Sequence, residues 1–315
     1  MMKKSGFSRC GKIYIDDLEK EGRYATAHVY RSALLSFSKF CGTPNVSFCQ
    51  VTRVRIRNYG DYLKDAGLKP NTVSTYMRML RSIYNRGIEA GYAPYVPLLF
   101  HDVYTGVDVR QKKALPAGEL RKLLYEDPQS DRLRRTQSLA ALMFQFCGMP
   151  FADLAHLESS ALEGNVLRYN RIKTNTPMSV EVLDTADELM GSLRKRGDSS
   201  PDSPDYLFDI LSGDTKRKDE KSYREYQSAL RLFNNNLKDL AKVLHVNYPV
   251  TSYTFRHSWA TIAKYRGVSI EMISESLGHK SIKTTQIYLK SFELQERTEV
   301  NRKNLSYIKN YAVGK

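Results

Sequence analysis

The sequence predicts a two-domain chain, mainly α with one small antiparallel β-sheet. Three observations lead there. Helical periodicity runs through the first third of the 315 residues, a proline-broken stretch follows it, and a β-rich patch stands among helices in the remainder. Hydrophobic residues make up 41% of the chain, enough for two buried cores of ordinary domain size.

From about Ile13 to Ala93 the pattern is helical throughout. Tyr30, Ala33, Leu34, Phe37 and Phe40 recur at the three-and-four spacing of one helix face, and Gly42 stops that helix. Pro70-Asn71 opens another helix, whose apolar stripe is Val73, Tyr76, Met77, Leu80, Ile83 and Tyr84, with Arg78, Arg81 and Arg86 projecting elsewhere. The region reads as a small four-helix bundle. Arg53, Arg55 and Arg57 add charge to the helix before, as a solvated face or as a phosphate-tracking one. Residues 1–12 read as a tail and 13–93 as the helical domain. Residues 94–116, opening on Pro94-Tyr95-Val96-Pro97, read as the linker.

The second domain takes residues 117–291. Helices are expected at about 117–125 and 131–147, followed by strands Val166–Arg171 and Met178–Val182 around the turn Lys173-Thr174-Asn175-Thr176-Pro177. Helical pattern returns at about 183–196, 223–244, 254–266, 270–277 and 282–290. Arg196 to Asp205 and Gly213 to Lys221 read as surface loops. Residues 292–315 carry Leu305, Ile308 and Tyr311 on one face of a final helix.

Charge points to a class of partner. The chain has 49 Lys+Arg against 34 Asp+Glu, a formal +15, and residues 1–110 alone hold 17 against 9. Both domains are therefore basic, as a protein that grips a polyanion from two sides requires. Cys10, Cys41, Cys49 and Cys147 form no C-x-x-C pair and suggest neither a disulfide framework nor a zinc knuckle. No stretch approaches the roughly 20 apolar residues that span a membrane, and no signal peptide is evident. A soluble, cytoplasmic protein is expected.

The chemistry concentrates in Thr251 to Tyr288, which reads T-S-Y-T-F-R-H-S-W-A-T and then L-G-H-K-S-I-K-T-T-Q-I-Y. Tyr253 and Arg256 lie about a turn apart at the start of one helix, with Phe255, Trp259 and Ile262 on its buried side, and Arg256 need not enter the core. Ser269 can cap the next helix, which buries Ile270, Ile273 and Leu277 and ends at Gly278 in a left-handed cap. His279 falls on the corner after it. Ser281 can cap a last helix that ends on Tyr288. Taken singly, a tyrosine among 21 is ordinarily packing, and a corner histidine is ordinarily a cap. The ordered conjunction is what carries meaning.

Over essentially its whole length the chain resembles the tyrosine recombinases, also called phage integrases, and most specifically over 251–290. It looks like the subgroup known from Bacteroidetes mobile elements and invertible DNA, which shares a G-M-x-F-x-D segment and an R-x-K strand. The resemblance implies a helical core-binding domain followed by an α+β catalytic domain. It makes Arg256 the second arginine, His279 the second His/Trp position, Tyr288 the nucleophile and Lys173 the mobile lysine of the hairpin. It also implies a 3′-phosphotyrosyl intermediate with no cofactor, metal or ATP. The implied partners are double-stranded DNA at core sites, a homotetramer on paired sites whose C-terminal helix passes between subunits, and accessory DNA-bending proteins. The protein would then be nucleoid-associated.

Two positions depart from that pattern. Where the family usually has T-G-x-R-x-x-E-L, this chain has Cys147-Gly148-Met149-Pro150-Phe151-Ala152-Asp153-Leu154, so Pro150 stands in the first arginine's place. Arg171 is the candidate replacement, because it lies two residues before Lys173 and shares a strand face with it, whereas Arg168 faces away. Tyr253 stands where histidine is usual; its hydroxyl can still hydrogen-bond a phosphate oxygen. A phenol with an ordinary pKa near 10 needs neighbouring positive charge or a base, and arginines bind two phosphate oxygens and stabilise the added charge of the transition state. Lys173 can protonate the leaving 5′ oxygen. Two other readings stay open: a weakened member that only binds and bends DNA, and an unrelated metal-dependent nuclease or transposase, for which Asp153 and Glu158 offer only a meagre pair of carboxylates.

Overall fold

A computed structural model describes residues 6–106, 114–194, 205–212, 219–289 and 294–309. The chain forms two compact units, residues 1–110 with Arg217–Arg224, and residues 111–216 with 225–315. Among the described residues no helix is long and apolar enough to cross a membrane.

The first unit is built from α1 (Phe7–Lys20), α2 (Tyr24–Phe40), α3 (Arg53–Asp65) and α4 (Pro70–Glu89). Each helix turns one apolar stripe inward, and Phe7, Phe37, Tyr59, Met77 and Leu80 meet in a closed core. Aromatic edges interlock there, with Phe7 and Tyr59 at 5.8 and 5.0 Å from the Phe37 centroid. Two expected boundaries move. Helix α1 begins at Phe7 rather than at Ile13, since Phe7, Cys10, Ile15 and Leu18 form its buried stripe. Ser8 fixes the start by exchanging hydrogen bonds with Val46 through its backbone N–H and its Oγ. Gly11 interrupts the apolar pattern of α1, yet it seats the helix, because a Cβ there would fall 2.9 Å from Leu34. The expected linker is likewise shorter. Leu99 and Phe100 are in the core, Arg53 grips Asp102, and Ser74 donates to the Gly106 carbonyl.

The second unit carries α5 (Ala117–Tyr125), α6 (Asp131–Gln145), the short α7 (Phe151–Ala155), a sheet, α8 (Asp184–Leu193), α9 (Glu220–Val243) from Glu225 onward, α10 (Ser252–Tyr265), α11 (Ile270–Ser276), α12 (Ile282–Tyr288) and α13 (Leu294–Lys309). The antiparallel sheet is ordered β1 (Leu162–Glu163), β2 (Val166–Asn170), β3 (Pro177–Glu181), with Arg168 opposite Ser179. The two-residue β1 is too short for strand alternation to reveal. Strand β2 turns Leu167 inward and Arg168 outward, and Arg171, just beyond its end, continues the inward side.

The apolar core of this unit gathers Leu123, Leu142, Phe146, Leu154, Leu167, Met190, Leu237 and Phe255. Helix α10 runs into it with nearly its whole first half buried, Arg256 and His257 included, so Arg256 does enter the interior. Trp259 and Ile262 are half-buried rather than fully inside, and Trp259 packs on the small Ala260–Ile273–Leu277 cluster. The expected loops 196–205 and 213–221 lie mostly outside the described residues, as does Tyr311.

Candidate functional site

Two buried arginines reach the corner between α11 and α12 from different elements. Arg256, 2% exposed, comes from the first turn of α10, which Thr251 starts by a reciprocal capping box with Thr254. Its Nη1 donates to the Gly148 carbonyl at 3.0 Å, and its Nη2 donates to the Leu277 carbonyl at 2.5 Å and to His279 Nε2 at 3.0 Å. Arg171, 5% exposed, comes from the end of β2. Its Nη1 donates to the same Leu277 carbonyl at 2.7 Å, while its Nε donates to Asp153 Oδ2 at 3.1 Å. One carbonyl oxygen thus receives both guanidinium groups.

Glycines make this approach possible. Gly148 has φ +69°, and a Cβ on it would sit 2.9 Å from the Arg256 backbone. Gly278 has φ +64°, and a Cβ there would fall 2.5 Å from Arg171 Cδ and 2.6 Å from Met178 Sδ. Both left-handed turns therefore need the one residue without a side chain, for conformation and for space.

Asp153 was legible only as a weak metal ligand. It lies in α7, 4% exposed, and its second oxygen accepts the Ile172 backbone N–H at 3.0 Å. Its carboxylate is thus committed to the hairpin end and to Arg171, where burial calls for such a partner. Among the described residues no group of three His, Cys, Asp or Glu side chains could hold a metal ion. Pro150, itself buried, is the N-cap of α7, three residues before Asp153. The guanidinium that reaches this helix is delivered by the hairpin.

Lys173 is exposed and stands in the turn after β2, not on the strand. The chain winds there because Asn175 adopts φ +52° and its N–H closes onto the Arg171 carbonyl. Strand parity thus accounts for Arg171 inside and Arg168 outside, but not for Lys173. Arg168 instead pairs on the surface with Glu163. Lys173 is still close enough for its charge to act on His279.

His279 sits where the chain leaves the left-handed Gly278, after an α11 that Ser269 caps through the Met272 N–H. Its Nδ1 lies 2.9 Å from Thr285 Oγ1, a hydroxyl that is completely buried on α12. Burial first, then Arg256, Arg171 and Lys173, hold its pKa down at about 4, so the ring is neutral at pH 7. Ser281 occupies the N-cap of α12 but makes no side-chain cap bond. Tyr288 ends that helix, one turn after Thr285; its side chain lies outside the described residues. Tyr253 is 41% exposed on the first turn of α10, its ring 6.0 Å from that of His257.

The structure thus brings Arg256, Arg171 and His279 together, with Lys173 near and the backbone of Tyr288 on the next helix. Sequence reading missed Asp153 as the arginine's partner and Thr285 as the histidine's, although both lie inside the motif segments.

Known proteins share these segments. Residues 113–294 match the model of the phage integrase family, and residues 7–103 match that of a phage integrase SAM-like domain. Tyrosine recombinase XerD of Pseudomonas aeruginosa is 24% identical over 283 residues, which cover 86% of this chain and 88% of that protein. Tyrosine recombinase XerA of Pyrococcus furiosus is 29% identical over 196 residues, 61% of this chain and 62% of that one. Among solved structures, the Tn1549 transposon integrase in complex with a circular intermediate DNA superposes with a TM-score of 0.66. It is 14% identical and covers 93% of this chain and 99% of that chain. A lambda integrase dimer bound to a COC' core site gives a TM-score of 0.62 at 17% identity, covering 90% and 79%.

Proposed function

Because the chain belongs to the phage integrase family, we propose that it is a site-specific DNA recombinase that cuts and rejoins strands through a phosphotyrosine at Tyr288. The observation that carries this reading is the pair of buried arginines meeting at the Leu277 carbonyl, beside the corner that leads to Tyr288. A scissile phosphate entering there meets two guanidinium groups in a site of low dielectric. Their charge counts for most as the phosphorus gains its fifth oxygen.

The Tyr288 oxygen attacks phosphorus, the phosphotyrosine bond forms, and the bond to the 5′ oxygen breaks. Lys173 gives that oxygen its proton, and the phenol proton leaves to a base. The ester keeps the energy of the broken bond, so rejoining is the same reaction run backwards, without ATP. Arg171 does the work usually given to an arginine at the Pro150 position, with Asp153 holding it, and the Tyr253 hydroxyl can hydrogen-bond a phosphate oxygen. His279 stands at the same corner as a neutral ring.

The partners in this reading are double-stranded core sites and three further copies of the chain on paired sites. Helix α13 supports the second point, since Leu305, Tyr307 and Ile308 on it are 55%, 66% and 69% exposed. The reaction serves integration and excision or DNA inversion, in the cytoplasm where the nucleoid lies.

Pro150 favours one rival, a member that binds and bends DNA without cutting it. A nicked core-site duplex separates the two. The recombinase traps itself on the cut strand as an adduct that survives denaturant, and it does so in EDTA. Tight binding with no adduct supports the rival, and an adduct or cleavage that EDTA abolishes supports a metal-dependent nuclease.

A further inference from the structure

Thr285 stands out because the recombinase chemistry gives it no part, yet its hydroxyl is completely buried against the corner histidine. The geometry decides where the His279 proton sits. A guanidinium has only N–H donors, so the ring nitrogen facing Arg256 Nη2 at 3.0 Å must offer a lone pair. Nε2 is therefore unprotonated, and in a neutral ring the proton lies on Nδ1. Nδ1 in turn faces Thr285 Oγ1 at 2.9 Å, which can accept it.

We propose that Thr285 is a positioning residue that fixes His279 as its Nδ1–H tautomer, so that Nε2 receives Arg256 and holds the guanidinium in one pose. The inference rests on the recombinase reading for its consequence, though not for its geometry. A chain of two hydrogen bonds runs from α12 through the corner to α10, and Thr285 is one helical turn before Tyr288. The arginine's aim is thereby tied to the seating of the helix that bears the tyrosine. Burial first, and then the positive charges of Arg256 on α10 and of Arg171 and Lys173 at the hairpin end, favour the neutral ring this arrangement requires. Threonine suits the position because its hydroxyl accepts without bringing a charge that would draw the arginines away.

The test uses the full chain labelled with 15N-histidine, without DNA at pH 7. The His279 signals, among those of six histidines, are identified by their loss in His279→Gln. A protonated Nδ1 slow to exchange with water, together with a bare Nε2, is the expected result. Thr285→Ser retains both features. Thr285→Val, close in shape, leaves Nδ1–H without its acceptor and lets it exchange. Single-turnover cleavage then falls about 10- to 100-fold in Thr285→Val and stays within about threefold in Thr285→Ser, while core-site binding is kept by both. A proton on Nε2 in the unsubstituted protein overturns the proposal even if Thr285→Val does not fold, and so does wild-type cleavage by Thr285→Val. Failure of the recombinase reading looks different, because no adduct forms with the unsubstituted protein while the tautomer stays as measured.

Discussion

Replacing Arg171 by alanine separates a buried anchoring arginine from a surface one more sharply than any other change. The side chains of Arg171 and Asp153 are 6% and 2% exposed, so removing the guanidinium leaves a buried carboxylate with only the Ile172 N–H. Breaking a buried pair from one side costs about 3–5 kcal/mol. Arg168, on the outer side of the same strand, has a side chain 57% exposed, and its pair with Glu163 is worth at most about 1 kcal/mol. The chain has one tryptophan, Trp259, packed against Ala260, Ile273 and Leu277, so its fluorescence reports unfolding of the second unit. With a urea slope of about 2 kcal/mol per molar, Arg171→Ala should lower the midpoint by about 1.5–2.5 M, and Arg168→Ala by less than about 0.5 M. Adding Asp153→Asn to Arg171→Ala should recover part of the loss, because no buried charge is then left unpaired. Below the unfolding transition, cleavage by Arg171→Ala should still be down about 100- to 1000-fold, the cost of a lost transition-state charge contact. Equal midpoints for Arg171→Ala and Arg168→Ala would refute the buried anchor. Normal cleavage by a folded Arg171→Ala would refute its part in the reaction.

Three further outcomes follow from the same geometry. Gly278→Ala should cost about 2–4 kcal/mol, combining left-handed strain with the overlap on Arg171 and Met178. Gly164→Ala, at φ +62° with nothing within 4 Å, should show only the strain, and equal urea midpoints would contradict the overlap. His279 has a pKa of about 4 when folded, below its ordinary 6.5, so the unfolded chain binds a proton that the folded one refuses. Its contribution to stability is complete above pH 6.5 and is lost as the pH falls toward 4, and His279→Gln should flatten that part of the midpoint-against-pH curve. Truncation after Lys290, which removes α13, should weaken pairing of two DNA sites in a gel-shift assay more than binding to one; equal loss of both would mean that the helix serves only its own subunit.

Much of the site could be read before folding was considered, and the part that could not has a common cause. Helices α10 and α11 are short-range features set by caps and stripes, and Gly278 and His279 occupy the corner their spacing required. The apolar stripe of α10 leaves open whether Arg256 enters the core. The arginine is buried because distant carbonyls receive it, those of Gly148 and Leu277, which lie 108 and 21 residues away. Arg171 meets Leu277 across 106 residues, and no periodicity encodes such a pairing. Lys173 shows where strand logic ends, since the left-handed Asn175 turns the chain before a third alternation can occur. The start of α1 was hidden by Gly11, a poor helix former that serves packing instead.

In the proposed reaction Tyr288 becomes bonded to DNA. The direct measurement is to trap the unsubstituted chain on a nicked core-site duplex in EDTA, digest the adduct, and identify by mass spectrometry the peptide that carries the nucleotide. The expected peptide contains Ile287-Tyr288-Leu289, with modification on the tyrosine, and Tyr288→Phe forms no adduct despite unchanged DNA binding. Modification at another of the 21 tyrosines, or an adduct of normal yield from Tyr288→Phe, would contradict it.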